Sequence, residues 1–171
     1  IFATPKTVIH GQEKLELMAK AGLDQVNIGV QSASERIQKR LFGRKEGLQE
    51  VYEAVDVLAR ISRDYGVNPP MIDVITLNPY EEKEDIIQTI DFVDSLPRPF
   101  NLVPHVMSFF EGTPLKERAI REGYIAEDYN FDYDLHDFES HERDARRGIR
   151  ANTEENIEYS RKLFSMGGIH Y

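Results

Sequence analysis

The most restrictive feature of the sequence is a seven-residue run, residues 71–77, that is β-branched and almost continuously apolar. Such a run is typical of a strand that is covered on both faces. Amphipathic helix patterns flank this run at residues 48–65 and 82–96. A buried strand between two helical crossovers predicts a parallel sheet with helices packed outside it.

The same alternation of helices and strands extends along the rest of the chain. Ser34 and Thr113 are predicted N-caps, because their side-chain oxygens can accept a backbone N–H. Three strands form too small a sheet to cover these helices, so we expect either missing barrel strands or pairing with a second copy. The further predicted elements are strands at residues 25–30 and 100–107 and helices at residues 11–21, 35–41, 114–122 and 153–165.

We therefore predict an α/β fold, a partial parallel (β/α) barrel fragment followed by a C-terminal helix. Residues 1–125 would form the barrel part, and residues 126–171 an acidic, aromatic-rich excursion with the last helix. The chain starts at Ile1 and stops at Tyr171, and both ends lead us to expect a piece of a longer protein.

Composition excludes several classes of function. The chain has 21 Lys and Arg against 30 Asp and Glu, a net charge of −9, which argues against a general nucleic-acid surface. It has no long apolar run for a membrane span and no charged-then-apolar leader, which predicts a cytoplasmic protein. The 171 residues contain no cysteine, so no thiolate of this chain can hold an iron–sulfur cluster.

Polar residues stand where the predicted strands end, which is where ligands gather in parallel α/β sheets. Gln31 follows the first predicted strand, and its amide offers both a donor and an acceptor. Ser32 comes next, and the alternative is that both residues only cap the following helix. Asn78 begins the turn after the run at 71–77, where the alternative is helix initiation alone.

Two charged residues are also candidates for ligand binding. Arg44 lies between two predicted helices, where it would clamp a carboxylate, extend into solvent or pair with a neighbouring glutamate. Asp73 is the only charge in residues 71–77, and a buried carboxylate needs a hydrogen-bonding partner. Asp73 therefore either receives hydrogen bonds from a ribose hydroxyl or an ammonium group, or forms a structural salt bridge.

A metal site is not predicted. The histidines His136 and His141 stand close to several carboxylates, but they are five residues apart and do not share a helix face. No third ligand has the spacing of a known motif.

Three segments of the chain resemble segments of radical S-adenosylmethionine enzymes and follow one another in the same order. They are most similar to the subgroup that often carries a cobalamin-binding domain. The first segment runs from Ala21 through the Gly29–Glu35 stretch to Arg44, the second from Ile72 to Thr89, and the third from Phe109 to Gly123. The usual glycine-rich turn of the second segment is replaced here by Leu77 to Glu81, and Glu111 stands where proline is common in the third.

This resemblance implies that the chain supplies the C-terminal half of the family's partial barrel. It implies that Gln31, Arg44 and Asp73 contact the methionine or ribose part of S-adenosylmethionine. The implied cofactors of the parent protein are S-adenosylmethionine and a 4Fe-4S cluster whose cysteines lie upstream. The subgroup adds cobalamin as a further candidate. The implied chemistry is reductive cleavage to a 5′-deoxyadenosyl radical, and the isolated chain should be inactive.

Two other functions stay open at this stage. The chain could be a non-catalytic α/β module that binds a partner or itself, or another barrel enzyme that uses carboxylates such as Asp73. The substrate, a small molecule or a macromolecule, is not specified by these residues. The expected partners are the N-terminal remainder of the same protein and, through an unpaired edge at the first predicted strand, a second copy of the chain.

Overall fold

The computed structural model describes residues 1–128 and 153–171. In chain order, the first six elements are β1 (Phe2–Ala3), α1 (Pro5–His10), α2 (Gln12–Lys20), β2 (Asn27–Gln31), α3 (Glu35–Arg40) and α4 (Leu48–Tyr65). Then follow β3 (Met71–Thr76), α5 (Lys83–Ser95), β4 (Phe100–Val106), α6 (Pro114–Arg121), α7 (Glu154–Ser165) and β5 (Gly168–His170).

The strands form one mixed sheet in the order β1-β2-β3-β4-β5. The first four strands are parallel, and β5 pairs antiparallel with β4. This arrangement confirms the predicted α/β class with a mostly parallel sheet and outer helices.

Several helix ends match the predicted signals. The Ser34 side chain accepts the N–H of Ile37 at the start of α3, and the Thr113 side chain accepts that of Lys116 at the start of α6. At the end of α4, Gly66 has a φ of 70°, the left-handed conformation that glycine adopts at least cost.

The sheet is larger than predicted, because the sequence patterns indicate three strands and miss β1 and β5. With two and three residues, these strands are too short to show an alternating pattern. The prediction of an unpaired edge at the first predicted strand is wrong, since β1 pairs with β2. Within the described residues the edge is β1 itself, and Ile1 and Phe2 are exposed there. Self-association stays a prediction.

One face of the sheet is buried under the helices. Side chains alternate along β2 and β3, so that Ile28, Val30, Ile72 and Val74 are fully covered while their neighbours are half-buried. The covered residues pack with α4 and α5 in the main core, which also takes in Leu163 of α7. The prediction that residues 71–77 are covered on both faces therefore holds for one face only.

A second apolar cluster includes Leu77 and Met107, which directly follow β3 and β4. Among its members are Ile37 of α3, Ala119 of α6 and Ile157 of α7.

The division of the chain near residue 125 into a barrel part and an excursion with the last helix stays a prediction. No helix in residues 1–128 and 153–171 has the length and apolar character needed to cross a membrane.

Candidate functional site

A cavity of about 560 Å³ opens on the half-buried face of the sheet, at the carboxyl ends of β2, β3 and β4. Its polar lining comes from Gln31, Asp73, His105, Ser108 and Thr113. Its apolar lining comes from Phe42, Ile75, Val106, Met107, Phe110 and Leu115. The cavity therefore combines polar groups at the strand ends with apolar walls, as ligand sites commonly do.

Gln31 reaches this cavity through an irregular turn at the end of β2. The register of β2 against β3 shifts between Gly29 and Gln31, and Gln31 has a φ of 64°. The N–H of Ser32 donates to the carbonyl of Val30 at 2.9 Å, which closes a three-residue turn around Gln31. A positive φ on a residue other than glycine costs about 1–3 kcal/mol and persists where surrounding contacts enforce it.

Arg44 is bound to this turn. Its Nη1 donates to the carbonyl of Gly29 at 2.8 Å, and its Nη2 donates to Oε1 of Gln31. Gly29 makes room for this arrangement, because a Cβ there would lie 2.6 Å from Nε2 of Gln31 and 3.1 Å from Nη2 of Arg44. The structure thus places two of the predicted site residues in direct contact.

Asp73 forms the second polar group of the cavity. Its Oδ1 lies 3.2 Å from Nε2 of His105, which projects from the neighbouring strand β4. The hydrogen bond to Asp73 raises the pKa of His105. This hydrogen bond becomes the salt bridge that the sequence left open when His105 is protonated, and both residues line the cavity.

The sequence prediction missed His105. The signal was weak because its partner Asp73 is 32 residues away in the chain. Alternation along β4 does place it on the same face of the sheet as Asp73.

Ser32 and Asn78 are absent from the lining of the cavity. Both are buried. The Ser32 hydroxyl donates to Oε1 of Glu81 at 2.6 Å, and Oδ1 of Asn78 accepts the N–H of Tyr80 at 3.1 Å. The structure thus gives these side chains partners within the protein. Their predicted roles in cofactor binding stay predictions.

Two sequence predictions fall outside the described residues: the cluster around His136 and His141, and most of the acidic excursion that precedes the last helix. Within residues 1–128 and 153–171, no group of three or more His, Asp or Glu side chains is arranged to hold a metal ion.

The fold is similar to solved structures of radical S-adenosylmethionine enzymes. Coproporphyrinogen III oxidase (HemN) from Escherichia coli matches 95% of this chain with 18% identity and a TM-score of 0.50. The methyltransferase TsrM from Kitasatospora setae, solved with cobalamin and a [4Fe-4S] cluster, matches 99% with 15% identity and a TM-score of 0.57. TsrM solved with tryptophan and a cofactor analogue matches 95%, also with a TM-score of 0.57. The chain spans only 29–32% of the length of these proteins.

No curated protein matches the chain in sequence. A family model described as the Radical SAM superfamily, however, matches residues 1–93, which is more than half of the 171 residues. The matched segment includes β2, β3 and the residues Gln31, Arg44 and Asp73. By this match the chain belongs to the radical SAM superfamily.

Proposed function

We propose that this chain forms the S-adenosylmethionine-holding part of a radical SAM oxidoreductase. The observation that carries the proposal is the cavity, because Gln31 and Asp73 line it together and Arg44 is bonded to Gln31. These are the three residues that the family resemblance assigned to the cofactor. They come from three separate stretches of the sequence.

The chemistry of the cavity fits S-adenosylmethionine. Its volume of about 560 Å³ lies within the usual range for small-molecule sites. Ribose hydroxyls can donate to the Asp73 carboxylate, and the Gln31 amide can donate to or accept from the amino-acid part. The adenine ring would pack against the apolar side chains that form the remaining wall.

The role of these residues is to bind and orient the cofactor and to exclude water from it. Bound beside a reduced [4Fe-4S] cluster, S-adenosylmethionine supplies the radical chemistry of the family. The cysteines for that cluster would come from another part of the protein, because this sequence contains none. The 171 residues alone are therefore expected to be inactive.

Cobalamin is a proposed second cofactor of the whole protein. The support is the likeness in fold to TsrM, one of whose structures contains cobalamin. No described residue of this chain is assigned to cobalamin. The cytoplasmic location and the pairing with the N-terminal remainder also stay predictions.

Electron paramagnetic resonance of the full-length protein tests the proposal. The protein is purified without oxygen, reduced, and measured with and without S-adenosylmethionine. We expect a 4Fe-4S signal that changes when the cofactor is added. The change should be lost in Asp73→Ala, while the cluster signal itself persists.

The matched control is Asp91→Ala, which removes an exposed carboxylate on α5, a helix that contributes no residue to the cavity lining. It should respond to the cofactor as the wild type does. Absence of a cluster despite adequate iron and sulfide would overturn the proposal and favour a non-catalytic binding module.

A further inference from the structure

A group of buried polar side chains that is absent from the cavity lining has no role in the proposed function. Its centre is Glu81, which lies between β3 and α5 and is only 4% exposed. Oε1 of Glu81 accepts the Ser32 hydroxyl at 2.6 Å. The contact joins segments 49 residues apart, and one of them is the turn that carries Gln31 into the cavity.

The Gln31 turn requires such contacts, because its positive φ is unfavourable for a residue with a side chain. The buried amide of Gln38 on α3 holds both sides of the turn. Its Nε2 donates to the carbonyl of Val30 at 3.1 Å and to that of Ser32 at 2.5 Å. These bonds fix the backbone immediately before and after Gln31.

Ser32 is the next fixed point of the turn. Its hydroxyl oxygen accepts the N–H of Ser34 at 3.2 Å, so that its own proton is directed to Glu81. The N–H of Ala33 donates to the hydroxyl oxygen of Thr89 on α5 at 2.9 Å. The end of the turn is therefore tied to the segment that contains Glu81 and α5.

Glu81 is itself held in place from two directions. Its N–H donates to the carbonyl of Asn78 at 3.0 Å. Its carbonyl accepts Nδ2 of Asn156 on α7 at 2.8 Å. The backbone of the residue that supplies the acceptor is thus hydrogen-bonded both to the turn after β3 and to α7.

We propose that Glu81 is a positioning residue for the cavity, which acts through Ser32 to hold the Gln31 turn in its ligand-facing conformation. Asp85 and Arg36 are the charged groups that face Glu81, and Arg36 is engaged by Asp85 and by the carbonyl of Tyr80. The inference rests on the proposed function in one respect, that S-adenosylmethionine is the ligand that Gln31 contacts.

The protonation state of Glu81 determines which substitution is conservative. Burial raises the pKa of Glu81 to about 8, and the charge of Asp85 acts in the same direction, against the Ser32 hydrogen bond and Arg36. The carboxyl group is therefore protonated at neutral pH and still presents an oxygen to Ser32. Glutamine matches this neutral form in shape and keeps the acceptor, whereas alanine removes it.

The test is equilibrium binding of S-adenosylmethionine to the full-length protein at pH 7, measured by calorimetry with thermal unfolding in parallel. We expect Glu81→Ala to weaken binding at least tenfold and Glu81→Gln to restore it to within twofold of the wild type. Glu84→Ala is the matched control, because Glu84 is exposed on the same segment. It should also bind within twofold of the wild type.

Two results would overturn the inference. One is unchanged affinity of the folded fraction in Glu81→Ala, which would make Glu81 a purely structural residue. The other is a glutamine variant as weak as the alanine variant, which would show that the acceptor oxygen is not what matters.

A measurement without ligand separates this inference from the proposed function and covers the case in which Glu81→Ala does not fold. Ser32→Ala breaks the same hydrogen bond and leaves Glu81 in place. The measurement is the NMR signal of the Gln31 side-chain amide in protein that is isotope-labelled at glutamine. The Gln31→Ala variant identifies this signal by its loss. The signal should shift in Ser32→Ala and not in Glu84→Ala. Unmoved signals would refute the positioning role. Failure of the wild type to bind S-adenosylmethionine would refute the proposed function, while the Gln31 signals would still test the positioning role.

Discussion

The two faces of the sheet differ in composition and in what they do. On the helix-covered face, Ile28 and Ile72 are completely buried within the main core. On the cavity face, the Asp73 side chain is 16% exposed and that of His105 is 55% exposed. Residues 72 and 73 are adjacent in the chain, yet one contributes to the core and the other to the candidate site.

This difference shows how one strand serves two purposes. Successive side chains of a strand point to opposite faces, so substitutions on one face need not disturb the other. Apolar burial on the helix-covered face provides the folding free energy. The opposite face can then carry polar groups such as Asp73, whose partner His105 comes from the next strand. The two faces should therefore respond differently to substitution.

The largest effect is expected on the helix-covered face. Ile72→Ala should lower the free energy of unfolding by about 2–5 kcal/mol, because it removes buried methyl and methylene groups and leaves a cavity. Urea unfolding measures this loss. Met71→Ala is the control on the other face of the same strand, where the side chain is half-buried, and it should cost clearly less. Equal losses for the two variants would remove the distinction between the faces.

A substitution on the cavity face should affect binding more than folding. In the Gly29→Ala variant, the added Cβ would collide with the ends of the Gln31 and Arg44 side chains. Both side chains can move away at little cost to the fold. We expect affinity for S-adenosylmethionine to fall roughly tenfold, about 1.4 kcal/mol. The unfolding free energy should change by less than about 1 kcal/mol.

Gly47→Ala is the control for this variant. Gly47 has a φ of −87° and nothing within 4 Å of an added Cβ, so binding should be unaffected. Unchanged affinity in Gly29→Ala would show that the positions of Gln31 and Arg44 do not determine binding.

The smallest effect concerns the ion pair of the cavity face. The hydrogen bond that the His105 ring donates to the Asp73 carboxylate raises the pKa of His105 above its ordinary value. The His105 ring binds a proton more tightly in the folded state than in the unfolded state. Its pair with Asp73 therefore stabilises the fold fully below the pKa of an unfolded histidine. This stabilisation is lost as the pH rises through the folded pKa.

An NMR titration of the His105 ring measures this pKa directly. Asp73→Asn should lower the His105 pKa toward the ordinary value, and Asp91→Asn on the surface of α5 should leave it unchanged. A His105 pKa that does not respond to Asp73→Asn would mean that the pair does not form in solution.

The sequence predicts the larger elements well, because their signals are local. The periodicity of apolar residues indicates α4 and β3, and Ser34 and Thr113 cap their helices as predicted. The position of Gln31 also follows from a local pattern, since residues at the carboxyl ends of parallel strands meet at one edge. Asp73 was singled out by a different local signal, because it is the only charge in an apolar strand.

The short strands β1 and β5 could not be predicted in this way. Their stability comes from pairing with β2 and β4 and not from local propensity. The φ of Gln31 was equally inaccessible, because the contacts that enforce it come from α3, α5 and the turn before α5.

The sequence by itself determined the α/β class, the main helices and strands, and the family resemblance that singled out Gln31, Arg44 and Asp73. Only the tertiary structure decided that Asp73 pairs with His105 and that Ser32 faces Glu81. Those partners are 32 and 49 residues apart in the chain. Hydrogen bonds over such separations depend on how strands and helices pack, and no local pattern of residues records that packing.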